Sequence, residues 1–154
     1  MTSDTPTKDY PTRAAWLAVL ARATLAQLEA MLPAAAQRAP LTLVRAPEIG
    51  MVMLRGRVGG TGNPFNLGEA SVVRCAVRLG DGPLGVSYAL GRDKRRAELA
   101  ARVDALLQDP QHHAALQGAL IAPLAQAQAQ ARAQKQRDVA DSKVEFFTFV
   151  RGQA

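Results

Sequence analysis

A glycine-rich stretch at residues 59–63 lies between two arginine-bearing segments, and this composition is typical of an anion-binding site. Arginine grips phosphate and carboxylate groups through paired hydrogen bonds, and the backbone amides of a glycine-rich turn can cradle an anion. The candidate contacts to phosphate, substrate or another subunit are Arg55, Arg57, Gly59, Gly60, Thr61, Gly62, Asn63, Glu69, Arg74, Arg78, Arg92 and Lys94.

The four arginines form one surface only if the two strands pair with their arginine faces on the same side. Strand side chains alternate, so Arg55 and Arg57 share one face of their strand, and Arg74 and Arg78 share one face of theirs. If the two strands pair with these faces on one side, four guanidinium groups line one surface beside the glycines. The alternative is an ordinary solvated sheet face.

The glycine-rich stretch lacks both standard nucleotide-binding patterns. A dinucleotide fingerprint needs a third glycine, where this chain has Phe65, and then a helix, where this sequence predicts a strand. The phosphate-binding loop of nucleotide kinases needs Gly-Lys-Ser or Gly-Lys-Thr, which does not occur. Two interpretations remain open: a wide hairpin connection that glycines permit, or a backbone nest for an anion.

The other reactive side chains do not form a catalytic pattern in the sequence. His112 and His113 are adjacent, so they point in different directions on a helix and make a poor metal pair. Cys75 lies within an apolar alternation, which favours a buried, inert thiol. Glu69 and Asp93 have the chemistry of general bases, but a strand start and a helix N-cap are the simpler roles. The catalytic residues are therefore unknown, and we expect no metal and no cofactor bound by this chain.

The composition limits the class of protein. The chain has 154 residues, 48% of them hydrophobic, and a net charge of +6. We expect a disordered lead-in at 1–11 followed by a single domain at 12–152. With one cysteine and no apolar run of 18 residues, the sequence predicts a cytoplasmic protein without a membrane span or secretory signal. Only 5% of residues are aromatic, which argues against a single-strand nucleic-acid binder.

The elements that must position these residues are typical of an α+β fold. The pattern predicts an N-terminal helix, a central antiparallel sheet of three to four strands, two or three C-terminal helices and a final apolar strand. The predicted helices are 13–32 (ended by Pro33), 94–108, 111–121 and 124–139. The predicted strands are a short one at 41–46 closed by Pro47, then 51–58, 69–79, 84–90 and 143–152. A tight turn at 80–83 and a longer connection at 59–68 join the central strands.

The final predicted strand, residues 143–152, is apolar on both faces. A strand of this kind is usually central in a sheet or covered by a partner chain. The predicted subunit-interface residues are Phe146, Phe147, Phe149, Val150 and Arg151.

Several motifs, read in order, resemble the PhnG family of the carbon–phosphorus lyase system. They are RAAWLAVLARA near the start, MVMLRGRVGGTGNPFNLGEASVVRCAVRL, GVSYALGRDKRRAEL, IAPL and KVEFFTFVRG. The resemblance runs from about residue 13 to 152. Many relatives have a His in the helix start where this chain has Arg96, so an acid–base role at that position is not expected.

The resemblance implies a subunit of a phosphonate-degrading complex with PhnI-, PhnH- and PhnJ-type partners, no nucleic acid and no membrane. With PhnI- and PhnH-type chains and a PhnL-type ATP-binding protein, such subunits help to form α-D-ribose 1-methylphosphonate 5-triphosphate. ATP and methylphosphonate are the substrates of the complex, and adenine leaves. The nucleosidase chemistry is associated with the PhnI-type chain, so the role implied here is structural or co-catalytic. Two alternatives stay open: direct contact with substrate phosphates through the glycines and arginines, or a stand-alone basic domain that binds nucleic acid.

Overall fold

Two short helices, rather than one long helix, begin the part of the chain that the computed structural model describes, residues 13–141. Helix α1 spans Arg13–Leu20 and α2 spans Leu25–Met31. Between them Thr24 forms a capping box, in which its hydroxyl accepts from the Gln27 amide at 3.2 Å and its own amide donates to the Gln27 side chain at 2.9 Å. The prediction of a single helix over 13–32 is therefore wrong, because the cap starts a new helix.

Three antiparallel strands follow a one-turn helix, α3, at Ala34–Gln37. They are β1 at Leu41–Arg57, β2 at Pro64–Leu79 and β3 at Leu84–Leu90, in the spatial order β1-β2-β3. The predicted turn at 80–83 is confirmed, with Gly80 at a φ of 53° and the Leu79 amide donating to the Pro83 oxygen.

Strands β1 and β2 are longer than the sequence pattern predicts. Pro47 was expected to close a short strand, but β1 continues past it through irregularities in pairing between Leu43 and Glu48. Such irregularities and edge positions are where a sheet accommodates proline. The predicted connection at 59–68 is also shorter, because 64–68 already pair with β1 and only 58–63 form the turn.

The C-terminal half is helical, as the sequence predicts. Helix α4, Lys94–Leu107, starts at Asp93, whose carboxylate accepts from the Arg96 amide at 2.9 Å. Helix α5, Pro110–Leu116, passes through a π turn at Gln117–Ile121 into α6, Ala122–Asp141. Pro123 was expected to interrupt the helix, but the helix continues from the π turn into α6, of which Pro123 is the second residue.

Helix α4 joins two apolar layers. One of its sides packs alanines against β2 in a cluster of Val73, Cys75, Val77, Ala97, Ala101 and Ala105. The approach is close at Gly85 of β3, where an added Cβ would lie 2.1 Å from the Ala101 oxygen. Its other side packs against the remaining helices in a cluster that includes Trp16, Leu20, Leu28, Leu106, Leu120 and Leu124.

Two sequence predictions concern other parts of the chain. The predicted disordered lead-in at 1–11 and the predicted final strand at 143–152, with its interface residues, lie outside the described residues.

Candidate functional site

Strands β1 and β2 extend beyond the sheet as a two-stranded ribbon, which we define as residues 50–71. Strand β3 pairs with β2 only over Val72–Arg78. The ribbon consists of 50–57 paired with 64–71, joined by the turn 58–63. At about 3.3 Å per residue, its eight-residue arms reach roughly 26 Å. Almost all of its side chains are exposed or half-buried.

The ribbon carries apolar side chains on both faces. Met51 and Met53, on one face, are 59% and 52% exposed. Val52 and Leu54 alternate with them on the other face. Further large exposed apolar residues near the turn are Val58, Phe65 and Leu67. An isolated two-stranded ribbon is only marginally stable in water, and large exposed apolar surface marks sites of interaction.

The glycine-rich turn is closed by its own backbone. The Gly62 amide donates to the Val58 oxygen at 2.7 Å, and the Val58 amide donates to the Asn63 oxygen at 3.2 Å. Gly59 and Gly60 have φ values of 59° and 83°, which favour glycine. At Gly62 a Cβ would lie 2.6 Å from the Val58 oxygen. These glycines therefore have a structural reason to be where they are, independent of any ligand.

The four arginines do not converge. Val52 pairs with Ala70 and Gly50 with Val72, so even-numbered residues of the β1 arm share a face with Arg74 and Arg78. The register shifts between Leu54 and Arg55, and Arg55 pairs with Asn66, eight residues from Arg74 along β2, or about 26 Å. Arg57 pairs with Pro64, ten residues from Arg74 along β2, or about 33 Å. Arg74 and Arg78 therefore lie far along β2 from the glycines, and the four arginines do not meet beside the turn.

Three of these four arginines donate hydrogen bonds to other groups of the protein. Arg57 donates to the Gly62 oxygen at 3.2 Å and Arg78 to the Gly82 oxygen at 3.3 Å. Arg74 contacts the Glu48 carboxylate at 2.5 Å. Hydrogen bonds from Arg45 and then from Arg74 lower the pKa of Glu48, so this carboxylate stays charged between the two guanidinium groups.

The remaining predicted contacts are dispersed. Glu69 pairs with Met53 in the middle of the ribbon. Thr61 lies in the turn, where its amide donates to the Val58 oxygen. Arg92 and Lys94 lie after β3, at the base of the ribbon, since the neighbouring Gly91 amide donates to the Ser71 oxygen. The turn and the two basic residues therefore lie at opposite ends of the ribbon.

Two reactive side chains within residues 13–141 are engaged or buried: His112 bonds to a carboxylate and Cys75 is buried. His112 contacts the Asp109 carboxylate at 2.9 Å, and the pKa of Asp109 is lowered first by the Gln111 amide and then by this histidine. Burial raises the pKa of the Cys75 thiol to about 11, so the thiol is unreactive at neutral pH, as the alternation predicts. Over the same residues, histidine, cysteine and carboxylate side chains form no cluster suited to a metal ion.

A buried carboxylate that the sequence interpretation missed fastens α1 to the sheet. Asp104 is fully buried and accepts four hydrogen bonds. Two come from Arg13 at 3.2 and 2.7 Å, one from the Trp16 indole at 2.8 Å, and one from the Val86 amide at 2.8 Å. The sequence signal is an aspartate among the apolar residues of α4, because a charge buried among them needs hydrogen-bonding partners.

No helix within the described residues is both long and apolar enough to cross a membrane.

Comparison with known proteins decides the family. The model of a family described as phosphonate metabolism protein PhnG matches residues 11–152. The chain belongs to the PhnG family. A PhnG protein of Rhizobium meliloti (strain 1021), named as a subunit of alpha-D-ribose 1-methylphosphonate 5-triphosphate synthase, is 45% identical over 135 residues. The match covers 88% of this chain and 86% of the relative, so the ribbon and the helices belong to the shared PhnG region.

Proposed function

We propose that this chain is the PhnG-type subunit of an α-D-ribose 1-methylphosphonate 5-triphosphate synthase in phosphonate metabolism. The observation that carries the proposal is the 45% identity to a synthase subunit over most of both chains. The substrates of the complex are ATP and methylphosphonate. It joins methylphosphonate to C1 of the ATP ribose and releases adenine. This chain binds no cofactor of its own and acts in the cytoplasm.

The role that suits these residues is assembly rather than bond making. The described residues hold no group of histidine, cysteine and carboxylate side chains suited to a metal ion, whereas the ribbon presents exposed apolar side chains on two faces. A ribbon with two apolar faces is best stabilised when a partner covers both of them. We propose a PhnI-type chain as that partner, with PhnH- and PhnJ-type chains in the same hetero-oligomer.

Coexpression with PhnI- and PhnH-type chains and affinity capture tests this assembly. The double substitution Met51→Glu and Met53→Glu places two charges on one apolar face of the ribbon, so we expect the amount of captured partner to fall at least about tenfold. Gln126→Glu and Gln130→Glu, both at exposed positions of α6, add the same charge and are the matched control. Equal capture by both double variants would remove the ribbon from the interface.

The alternative of direct phosphate contact loses its four-arginine form. Arg55 and Arg57 lie near the turn of the ribbon, whereas Arg74 and Arg78 lie in the three-stranded part of the sheet. If the turn alone touched substrate, Arg57→Ala in an intact complex would raise the KM for ATP or methylphosphonate, while Arg74→Ala would not. Binding of nucleic acid rests on net charge alone.

A further inference from the structure

The outer edge of β3 has a short open stretch of backbone. The Gly91 amide donates to the Ser71 oxygen, so by alternation the odd-numbered residues of β3 bond to β2 and the even-numbered residues point outward. Outward backbone groups of this kind are where a further strand can add to a sheet. The outward residues are Leu84, Val86, Tyr88 and Leu90.

The open stretch lies between two occupied positions. At one end the Val86 amide donates to Asp104 at 2.8 Å. At the other end Arg96 donates to the Leu90 oxygen at 2.5 Å. Between them, the Val86 oxygen, both backbone groups of Tyr88 and the Leu90 amide have no hydrogen-bond partner within residues 13–141.

The four open groups match a short segment that runs parallel to β3. In a parallel pair, a residue donates to one neighbour of the residue opposite it and accepts from the other neighbour. The first residue of a three-residue segment would therefore bond to the Val86 oxygen and the Tyr88 amide, and the third to the Tyr88 oxygen and the Leu90 amide. An antiparallel segment would instead direct a carbonyl oxygen at the Val86 amide, which Asp104 already holds.

Helix α1 runs alongside this edge and leaves a groove beside it. Near the start of the helix, Arg13 donates to the Leu84 oxygen at 3.0 Å. Just after its end, the Ala23 oxygen accepts from Arg96 at 3.5 Å, and Arg96 also holds Leu90. Two clefts, of about 100 and about 320 Å³, share part of their lining and form one groove between the helix and the strand, which we call the α1–β3 groove. The shared residues are Ala21, Tyr88 and Ala89.

The lining of the α1–β3 groove is mainly apolar. Ser87 lines the smaller cleft, but its hydroxyl donates to the Ala97 oxygen at 2.7 Å and is not free for a ligand. A segment seated here would therefore need apolar side chains. The smaller cleft is also lined by Leu17, Leu20 and Ala100. The larger cleft is also lined by Ala18, Val72 and Leu90.

The groove continues the surface of the ribbon. Val52 belongs to the ribbon and also lines the larger cleft. A chain that covers this face of the ribbon can therefore extend into the groove without a break in the interface.

The end of the groove near Leu90 is positively charged. Arg22 lines the larger cleft, where it donates only to the Ala18 oxygen of its own helix, at 2.9 Å. Arg92 and Lys94 follow within four residues of Leu90. Within the described part of the chain, no salt bridge joins these three cations to a carboxylate. A carboxylate at this end of the docked segment would complement them.

We propose that the partner chain that covers the ribbon also inserts an extended segment into the α1–β3 groove, where it adds to β3 as a parallel fourth strand. The segment has apolar side chains at its first and third residues, which face the smaller cleft, and a carboxylate after them, near Arg22. The inference rests on the proposed function, in which this partner is a PhnI-type chain.

Amide exchange of the full-length chain, alone and in the purified complex with the PhnI-type chain, tests the inference. The Tyr88 and Leu90 amides should exchange at least about 100-fold more slowly in the complex than in the free chain, because each gains a hydrogen bond to the segment. The Leu84 amide points the same way but lies beyond the occupied Val86 amide. It is the internal control and should slow by less than about tenfold.

A charge reversal tests the acidic part of the segment. Arg22→Glu would face the carboxylate with a like charge, so we expect capture of the PhnI-type chain to fall at least about tenfold. Arg132→Glu makes the same change at an exposed position of α6 and is the matched control. Equal capture by the two variants would contradict an acidic segment at this end of the groove.

The possible outcomes separate this inference from the proposed function. If a complex forms and exchange slows in residues 50–57 while Tyr88 and Leu90 keep their free rates, the inference is overturned and the proposed function stands. If the Tyr88 and Leu90 amides already exchange slowly in the free chain, the edge belongs to this chain or to a second copy, and the inference is overturned. If no complex forms with the PhnI-type chain, both are overturned.

Discussion

The buried carboxylate of Asp104 gives the sharpest stability prediction. Asp104→Asn conserves shape but replaces one acceptor oxygen with an NH2 group, so two of four hydrogen bonds become donor-against-donor contacts. If the NH2 group faces the Val86 side, the losses are the Val86 amide at 2.8 Å and one Arg13 bond at 2.7 Å. If it faces the other side, the losses are the Trp16 indole at 2.8 Å and an Arg13 bond at 3.2 Å.

The size of the effect follows from burial. A buried donor left without an acceptor costs about 1–3 kcal/mol, and hydrogen bonds to a charged group are worth about 1.5–3 kcal/mol. The Arg13 side chain is 43% exposed and can turn to water, so its share is small. We expect Asp104→Asn to lower the free energy of unfolding by about 2–4 kcal/mol. Most of this loss comes from the donor other than Arg13, which is the Val86 amide or the Trp16 indole.

Urea denaturation measures this change. Trp16 is the single tryptophan and reports the transition, and far-UV circular dichroism provides a probe that the substitution does not touch directly. The midpoint should fall at an unchanged slope. Asp138→Asn, on the exposed surface of α6, is the control and should stay within about 0.5 kcal/mol. A loss below about 1 kcal/mol for Asp104→Asn would refute the assignment of this carboxylate as the fastening between α1 and the sheet.

Three further substitutions or conditions test local features. Gly85→Ala should lower the free energy of unfolding by about 3 kcal/mol or more, because its Cβ would meet the backbone of α4, whereas Gly50→Ala, with open space around it, should change little in the same urea titration. Gly62→Ala should speed amide exchange in the turn 58–63 without moving the urea midpoint, because the clash of its Cβ with the Val58 oxygen is local. A large shift of the midpoint would contradict this prediction. Gly118→Ala, with open space around it, is the control. Burial raises the pKa of the Cys75 thiol from its ordinary value of 9.0 to about 11, which leaves only about a thousandth of the thiol ionised at pH 8. Alkylation of Cys75 should therefore require unfolding. Because that pKa is raised, the thiol's contribution to stability is complete below pH 9 and is lost as pH rises towards about 11.

Local sequence signals identified most of the elements. Alternating apolar residues and the Asp-Gly turn predicted the β2–β3 hairpin, and Asp93 predicted the start of α4. These features depend on interactions within a few residues, which a sequence displays directly. The alternation around Cys75 also predicted its burial correctly.

The errors came from interactions that the local pattern does not specify. The Thr24 capping box was hidden inside a continuous Ala/Leu pattern, so the break between α1 and α2 was missed. The pairing register places Arg55 beside Asn66 and Arg74 beside Glu48, and register depends on where two distant segments meet. The three residues that bond to Asp104 come from two elements, α1 and β3, and only the fold brings them together.

The central claim is that this chain is required for the synthase to assemble and work. The most direct measurement is adenine release from ATP and methylphosphonate by PhnI-, PhnH- and PhnL-type chains purified with and without this protein. We predict that omission lowers the rate at least about tenfold, that the unsubstituted chain restores it, and that the chain with Met51→Glu and Met53→Glu does not. Full adenine release in the absence of this chain would contradict the account.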